Sequence, residues 1–401
     1  MQDCFMNTYH RLPVTFSKGK GVYLFDTAGK KYLDFTSGIA VNCLGHNHPA
    51  LLAAIKNQSE KLLHVSNYYQ CDTSLLFAEK LVKAAGMYRI DGERQHVSGK
   101  VFLCNSGAEA NEGACKIARK YSLKKYGEGR HTIVALAGSF HGRTITTLSA
   151  TGQDRFHKDF GPFTEGFCFT PHGDIDDLDR ALDKKTVAAF ILEAIQGESG
   201  GAPQSGEYIK AAAHFCKERD ILLMFDEVQC GLGRTGAFLA CQHYGVTPDV
   251  VTLAKGIAGG IPMGAVLAGE KAADVLQTGD HGSTFGGNPL ACACGIAVLD
   301  IVANDKFLAG ITELGNYFME ALKKLNNKKI KIQDNGIRGK GLMLMCDITV
   351  PAWSVLEQCL KNNLLLLSAG EKTLRFLPPY IITKNEIDEG LQILDSVLNK
   401  S

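Results

Sequence analysis

The sequence predicts an α/β protein with a mostly parallel central sheet and a smaller α+β domain. Three observations carry this. Between residues 100 and 269, short runs that are apolar at nearly every position alternate with helical patterns. Strands apolar on both faces belong to a sheet covered on both sides, and strand–helix alternation defaults to a doubly wound fold. The chain has 401 residues, well beyond the roughly 150 of an average domain, so a second unit is expected.

The elements follow in order. Val22–Phe25 and Lys31–Phe35 are short β-like runs, expected to join the smaller domain and not the central sheet. Lys100–Cys104 reads as a sheet strand and Ala108–Tyr126 as the helix after it. His131–Ala137, Val187–Glu193, Ile221–Val228 and Val250–Ala254 are further strands, and Ala265–Gly269 adds one more. Glu207–Arg219 is helical, and a long helix runs from Leu290 to about Asn304, after Pro289. The expected division is residues 1–50 as an N-terminal segment joining the small domain, 51–290 as the large domain and 291–401 as the C-terminal small domain.

Composition removes several function classes. Lys and Arg total 43 against 42 Asp and Glu, a net charge of +1, without the basic excess of a nucleic-acid binder. No apolar run approaches the roughly 20 residues of a membrane span, and Met1–Arg11 has no apolar core of signal length. Thirteen Cys without framework spacing read as reduced thiols of a cytoplasmic protein. Cys292-x-Cys294 and His46-x-His48 are single pairs with no second half, so no metal site is expected.

In doubly wound sheets, ligands sit at the carboxyl ends of the strands. Candidate motifs cluster there. Asn105-Ser106-Gly107-Ala108-Glu109 follows a strand and opens a helix, whose free N–H groups suit a phosphate; Ser106 with Glu109 also spells a plain capping box. Ser139–Arg143 supplies an aromatic pair able to stack on a flat ring and an Arg able to take a carboxylate, or is an ordinary loop. Asp226 and Glu227 end a buried strand, where a carboxylate needs a partner such as a protonated ring nitrogen or a structural Arg. Lys255 closes another strand. There it is a candidate amine nucleophile, since desolvation frees the amine, or a lysine that snorkels to solvent. His281–Pro289 is a Gly-rich turn able to hold phosphate, or a helix-entry loop. Gly231–Gly236 matches G-x-G-x-x-G, but only a short helix fits before Pro248, and the twentieth position on falls among Val250, Val251 and Thr252.

Taken together these supply a phosphate cradle, a stacking aromatic, a carboxylate for a ring nitrogen and a strand-end Lys. Pyridoxal phosphate needs all four. The chain resembles the class III (ornithine-type) aminotransferases of fold type I, almost end to end, from Gly38–His46 to Leu374–Pro378. Asn105–Ala114, Ser139–Thr144, Gln196–Glu198, Phe225–Gly236, His243–Gly256 and Gly282–Leu290 carry the resemblance. Ala194 and Gly256 depart from the usual Pro and Ala without removing a chemical group.

The resemblance implies pyridoxal 5'-phosphate as cofactor and 51–290 as the cofactor-binding domain. It implies that Lys255 condenses with the cofactor aldehyde and moves the proton, and that Asp226 holds the pyridinium proton. Phe140 stacks on the ring with Val228 on its other face, Gln229 bonds the ring hydroxyl, and His141 lies in the same site. Ser106, Gly107 and Ala108 take the phosphate. Thr284 reaches the phosphate of a neighbouring subunit, which implies a homodimer. On the substrate side it implies Arg143 for the distal carboxylate, Arg375 for the α-carboxylate of glutamate, Glu198 as a gate over Arg375, and Ser283. Asn67 and Tyr69 fall in a pocket-lining segment without assigned roles.

Thr36–Val41 lacks the tyrosine that ornithine δ-aminotransferases use for a free α-amino group, which favours an N-acylated donor. The implied reaction moves the δ-amino group of N2-acetylornithine to 2-oxoglutarate, in arginine biosynthesis in the cytoplasm. Succinylornithine, succinyldiaminopimelate, ornithine and 4-aminobutyrate are alternative donors. An NAD-dependent oxidoreductase resting on Gly231–Gly236, and a catalytically silent interaction protein, are readings of a different class. The expected partners are small molecules, with no nucleic acid and no membrane.

Overall fold

Seven strands form the central sheet, in the spatial order Lys100–Cys104, Gly264–Ala268, Val250–Leu253, Leu222–Asp226, Val187–Leu192, Thr132–Leu136 and Phe167–Thr170. Every neighbouring pair is parallel except the two that involve Gly264–Ala268. The computed structural model describes residues 4–91, 94–201, 203–325, 330 and 336–400. The expected N-terminal segment begins, and the expected C-terminal domain ends, on residues outside this set. Among the described residues no helix is long and apolar enough to cross a membrane.

The strands form where they do because both faces are covered. All six residues of Val187–Leu192 are buried. Ala189 and Ile191 pack into one core with Ala110, Ala114, Ile117 and Ala118 of the helix Gly107–Tyr126. Phe190 and Leu192 face a second core, shared with Leu223, Phe225 and Leu253. Period-2 alternation sends neighbours to opposite faces. Each fully buried Phe, Leu or Ile contributes about 1.5–3 kcal/mol. The alanines of Gly107–Tyr126 let that helix approach the sheet closely, so its first turn sits at the strand ends.

Outside the sheet, Phe16–Lys20, Tyr23–Asp26 and Lys31–Asp34 form a meander that continues through Leu364–Leu365, which is parallel to Lys31–Asp34. A second antiparallel sheet holds Ile337–Lys340, Met343–Asp347, Thr373–Phe376 and Leu367–Ser368. Helices Asp305–Lys324, Ala352–Lys361 and Lys384–Lys400 complete this part.

The G-x-G-x-x-G match lies in the turns between Asp226 and the short 3-10 helix Ala240–Tyr244, and its surroundings are protein. Gly236 has φ +90°, and a Cβ there would run into Thr312 of Asp305–Lys324. Arg234 is fully buried and donates through Nη1 to the carbonyls of Leu342 (3.1 Å) and Pro378 (2.6 Å). Leu342 N–H donates back to Arg234 O at 2.9 Å. The loop joins the central sheet to the C-terminal strands, and no long helix follows it.

Candidate active site

Five segments that leave the carboxyl ends of sheet strands converge on one cavity of about 470 Å³. Asn105–Ala108, Phe140–Arg143, Glu193, Asp226–Gln229 and Lys255 all line it. This is where open α/β sheets place their ligands, and the size is ordinary for a small-molecule site.

Asp226 is buried at the end of Leu222–Asp226 and fully engaged. Its Oδ2 accepts from Asn111 Nδ2 (2.7 Å) and lies 2.8 Å from His141 Nδ1, while Oδ1 accepts from Val228 N–H at 3.0 Å. Asn111 is fixed in turn, since its Oδ1 accepts from Thr252 Oγ1 at 2.8 Å and its Nδ2 also donates to His141 O at 2.7 Å. These partners hold the carboxylate in one orientation in a buried site. His141 Nε2 is buried with no hydrogen-bond partner among the described residues.

Lys255 follows Val250–Leu253 in the left-handed backbone region, with φ 51°. For a residue with a Cβ this costs on the order of 1–3 kcal/mol and marks a constrained functional position. Cys43 Sγ donates to the carbonyl of the next residue, Gly256, at 3.3 Å and helps to hold the turn. Among the described residues the ammonium makes no hydrogen bond and no close ion pair. Burial holds its pKa below the ordinary lysine value, with Glu198 and Asp226 pulling the other way. A larger share of neutral amine, the nucleophilic form, results.

Ser106 caps the helix Gly107–Tyr126, its Oγ accepting from Glu109 N–H at 3.2 Å. Glu109 Oε2 reaches back to Asn105 N–H at 2.5 Å. Only the Ser106 half of a capping box forms, since Glu109 bonds the N–H one residue before the N-cap, and this half is compatible with a phosphate cradle. Gly107 and Ala108 keep free first-turn N–H groups at the cavity wall. Gly107 is glycine because a Cβ would stand 2.8 Å from Val228 Cγ1.

Phe140 and Phe156 meet edge to face at 5.6 Å, and Arg143 Cζ sits 4.3 Å from the Phe156 ring. Arg143 is exposed and has no ion-pair partner among the described residues. Glu198 and Arg375, 177 positions apart in sequence, form a pair at 2.7 Å. Arg375 Nη1 also donates to Gln229 Oε1 (3.1 Å) and Gly197 O (2.8 Å). Burial raises the Glu198 pKa, but the Arg375 guanidinium outweighs it and holds the carboxyl below its usual range. Gln229 lines the cavity with its amide engaged by this pair, as Nε2 donates to Glu198 Oε1 at 3.3 Å.

Ser283 and Thr284 do not line this cavity. Ser283 Oγ accepts from Asn105 Nδ2 at 3.2 Å and from Gly286 N–H at 2.9 Å, and Thr284 is exposed beside it. Asn67 Nδ2 donates to the carbonyls of Ser283 and Gly286, both at 3.0 Å, and so clamps that loop. Tyr69 is exposed.

Sequence reasoning missed Glu193, Asn111 and Thr252. The Glu193 carboxyl is buried after Val187–Leu192, and its Oε2 accepts from Phe140 N–H at 3.1 Å. The signal that singled out Asp226, a carboxylate closing an apolar run, was equally present at Glu193. Asn111 and Thr252 carried no such signal, because their roles arise from strand pairing of Asp226 with Thr252 and from helix phase.

These residues fit pyridoxal phosphate. An amine of lowered pKa faces its aldehyde chemistry, an engaged carboxylate suits its ring nitrogen, free helix-start N–H groups suit its phosphate, and an aromatic suits its face.

The family model described as "Aminotransferase class-III" matches residues 4–398. An acetylornithine aminotransferase of Caldanaerobacter subterraneus subsp. tengcongensis is 50% identical over 98% of this chain and 97% of its own length. One from Aquifex aeolicus is 47% identical over 98% of this chain and 99% of its own. Among solved structures, ornithine aminotransferase from Toxoplasma gondii superposes with a TM-score of 0.91 at 33% identity, covering 99% of this chain and 93% of that one. The chain belongs to the class III aminotransferase family, pyridoxal-phosphate enzymes of fold type I that move amino groups between small molecules.

Proposed function

We propose that the chain transfers the δ-amino group of N2-acetylornithine to 2-oxoglutarate, releasing N-acetylglutamate 5-semialdehyde and glutamate, a step of arginine biosynthesis. The observation that carries this is the Glu198–Arg375 pair at 2.7 Å, joined through Gln229 to the cavity that Arg143, without an ion-pair partner among the described residues, also lines. Two cationic positions serve glutamate and 2-oxoglutarate, which carry two carboxylates. The reacting end of the acylated donor carries none, and Glu198 then neutralises a guanidinium that would otherwise be buried without a counter-charge. The 50% and 47% identical relatives support the donor named. So does Gly38–Val41, where no side chain offers a hydrogen bond to a free α-amino group.

Bound pyridoxal phosphate supplies an aldehyde that takes up an amino group and a ring that stores an electron pair. The chain does the rest. Lys255 would hold the cofactor and would take and return the proton at Nζ. Asp226, fixed by Asn111 and His141, keeps the ring nitrogen protonated. Gly107 and Ala108 N–H groups and the Ser106 hydroxyl anchor the phosphate. Phe140 and Val228 hold the ring plane, and Gln229 orients it. Arg143 and Ser283 bind the far end of the substrate, and Arg375 binds the α-carboxylate once Glu198 swings away.

The reading includes a cytoplasmic homodimer in which Thr284 reaches the phosphate in the partner's site. Thr284 lies outside its own cavity, next to exposed Phe285, and Leu62, Leu63, Tyr68, Leu75 and Leu76 are exposed in the segment around Asn67. Apolar surface of this extent usually has a partner. Buried cysteines such as Cys43, Cys115 and Cys216 stand unbridged, which fits a reducing compartment. The division into 1–50, 51–290 and 291–401 is part of the proposal, supported by the pairing of Leu364–Leu365 with Lys31–Asp34.

A half-reaction panel tests the donor. The loaded enzyme is mixed in single turnover with acetylornithine, succinylornithine, ornithine or 4-aminobutyrate. Acetylornithine is expected to convert the cofactor fastest, and a faster rate with ornithine refutes the reading. Glu198→Ala should slow the acetylornithine half-reaction more than the glutamate half-reaction; equal losses refute the gate.

A further inference from the structure

We propose that Glu193 stands in the active-site cavity as a neutral carboxylic acid and is a positioning residue: one oxygen holds the Phe140 amide, and the other carries a proton toward the cavity. The inference rests on the reading of this cavity as the pyridoxal-phosphate site and adds a residue to it.

Two carboxyl groups line the cavity, from Asp226 and Glu193, and a third, from Glu198, joins it through Gln229. Asp226 has three close partners, including His141. Glu198 has the Arg375 guanidinium at 2.7 Å. Glu193 has one backbone donor, the Phe140 N–H at 3.1 Å, and no cationic nitrogen within 4 Å among the described residues. Its side chain is buried on the strand beside Asp226. The other charged groups around it are spoken for: Arg375 is paired, Arg143 is exposed over Phe156, and Lys255 is required for the cofactor.

A buried carboxylate with a single donor and no counter-charge is costly, and taking up a proton relieves that cost. Burial, and then the Asp226 carboxylate, push the Glu193 acid well above the usual carboxylate range, against the opposing pull of the Phe140 N–H and Lys255. A neutral Glu193 does two things. It fixes the Phe140 backbone, and so the aromatic ring that flanks the cofactor. It also adds no negative charge to a site that must admit a phosphate and dicarboxylates.

Glu193 holds its proton to higher pH than an exposed carboxyl and ionises as pH rises through its elevated pKa. Ionisation places a second carboxylate, without a counter-charge, beside Asp226 and weakens binding of dicarboxylates.

The test uses the loaded enzyme and three variants. Glu193→Ala leaves the Phe140 N–H without its acceptor and should weaken cofactor binding about tenfold. Glu193→Gln keeps an acceptor and a donor of the same shape and should restore that binding, while removing the alkaline rise in KM for 2-oxoglutarate. Isotope-edited infrared spectra of the wild type should contain a protonated-carboxyl band that Glu193→Gln lacks. The proposal is overturned if the band is absent in the wild type, or if Glu193→Gln binds cofactor as weakly as Glu193→Ala. If wild type and Glu193→Gln load no cofactor on Lys255 and the band is still lost in Glu193→Gln, the charge assignment stands and the pyridoxal-phosphate reading fails. If Glu193→Ala does not fold, Glu193→Asp, whose shorter side chain withdraws the acceptor, replaces it.

Discussion

Two of the loops that carry the marks of a phosphate site differ in what approaches them. Asn105–Glu109 opens the helix Gly107–Tyr126 onto a cavity and leaves the Gly107 and Ala108 N–H groups without partners among the described residues. Gly231–Gly236 has the more familiar spacing, yet its surroundings are filled by the protein's own chain: Thr312 against Gly236, and Leu342 and Pro378 on Arg234. Glycine in a motif states that something comes close. Whether that is a ligand or the rest of the chain depends on what the fold brings up. Here the first loop serves chemistry, and the second attaches the strands that carry Arg375.

Substitutions can break this contrast, beginning with the largest effect. Lys255→Ala should lower transamination about 10,000-fold with the fold intact, checked by steady-state rates and circular dichroism. Asp226→Asn should cost about 1,000-fold in turnover, because an unpaired ring nitrogen loses its proton, and cofactor absorbance should shift with it. Gly236→Val acts on the other loop. It should destabilise the fold by about 2–3 kcal/mol, read as a lower melting temperature, with cofactor affinity unchanged below melting. Loss of cofactor affinity in the folded variant would mean that the second loop also binds ligand. Asn67→Ala removes two hydrogen bonds from the Ser283–Gly286 loop and should weaken cofactor binding roughly tenfold, measured by titration. The smallest effect is one of pH. Because burial lowers the Lys255 pKa, cofactor uptake should rise with pH and level off below the pH at which an exposed lysine would.

Much of this was legible in advance where burial is two-sided. Lys100–Cys104, Thr132–Leu136, Val187–Leu192, Leu222–Asp226, Val250–Leu253 and Gly264–Ala268 fall within two residues of runs readable from apolarity alone. Phe167–Thr170 escaped because it is an edge strand with Phe169 exposed, so its pattern is broken. The turn Ser37–Ala40 escaped for another reason. Ser37, Ile39 and Ala40 adopt φ of 42°, 64° and 63°, which no local preference favours. A local clamp and a distant contact hold them there: Asp34 accepts from the Thr36 and Ser37 N–H groups, and Ser37 Oγ donates to Leu377 O at 2.6 Å. Strand-end chemistry such as Lys255 and Asp226 could be read from position, whereas the Asn111–Thr252 support depended on which strands lie side by side.

The most direct measurement is to reduce the cofactor-loaded protein with borohydride, digest it and locate the pyridoxyl group by mass spectrometry. The account predicts a single modified residue, Lys255, with no label in Lys255→Ala. A label fixed at another lysine, or none in a preparation that still transaminates, would contradict it.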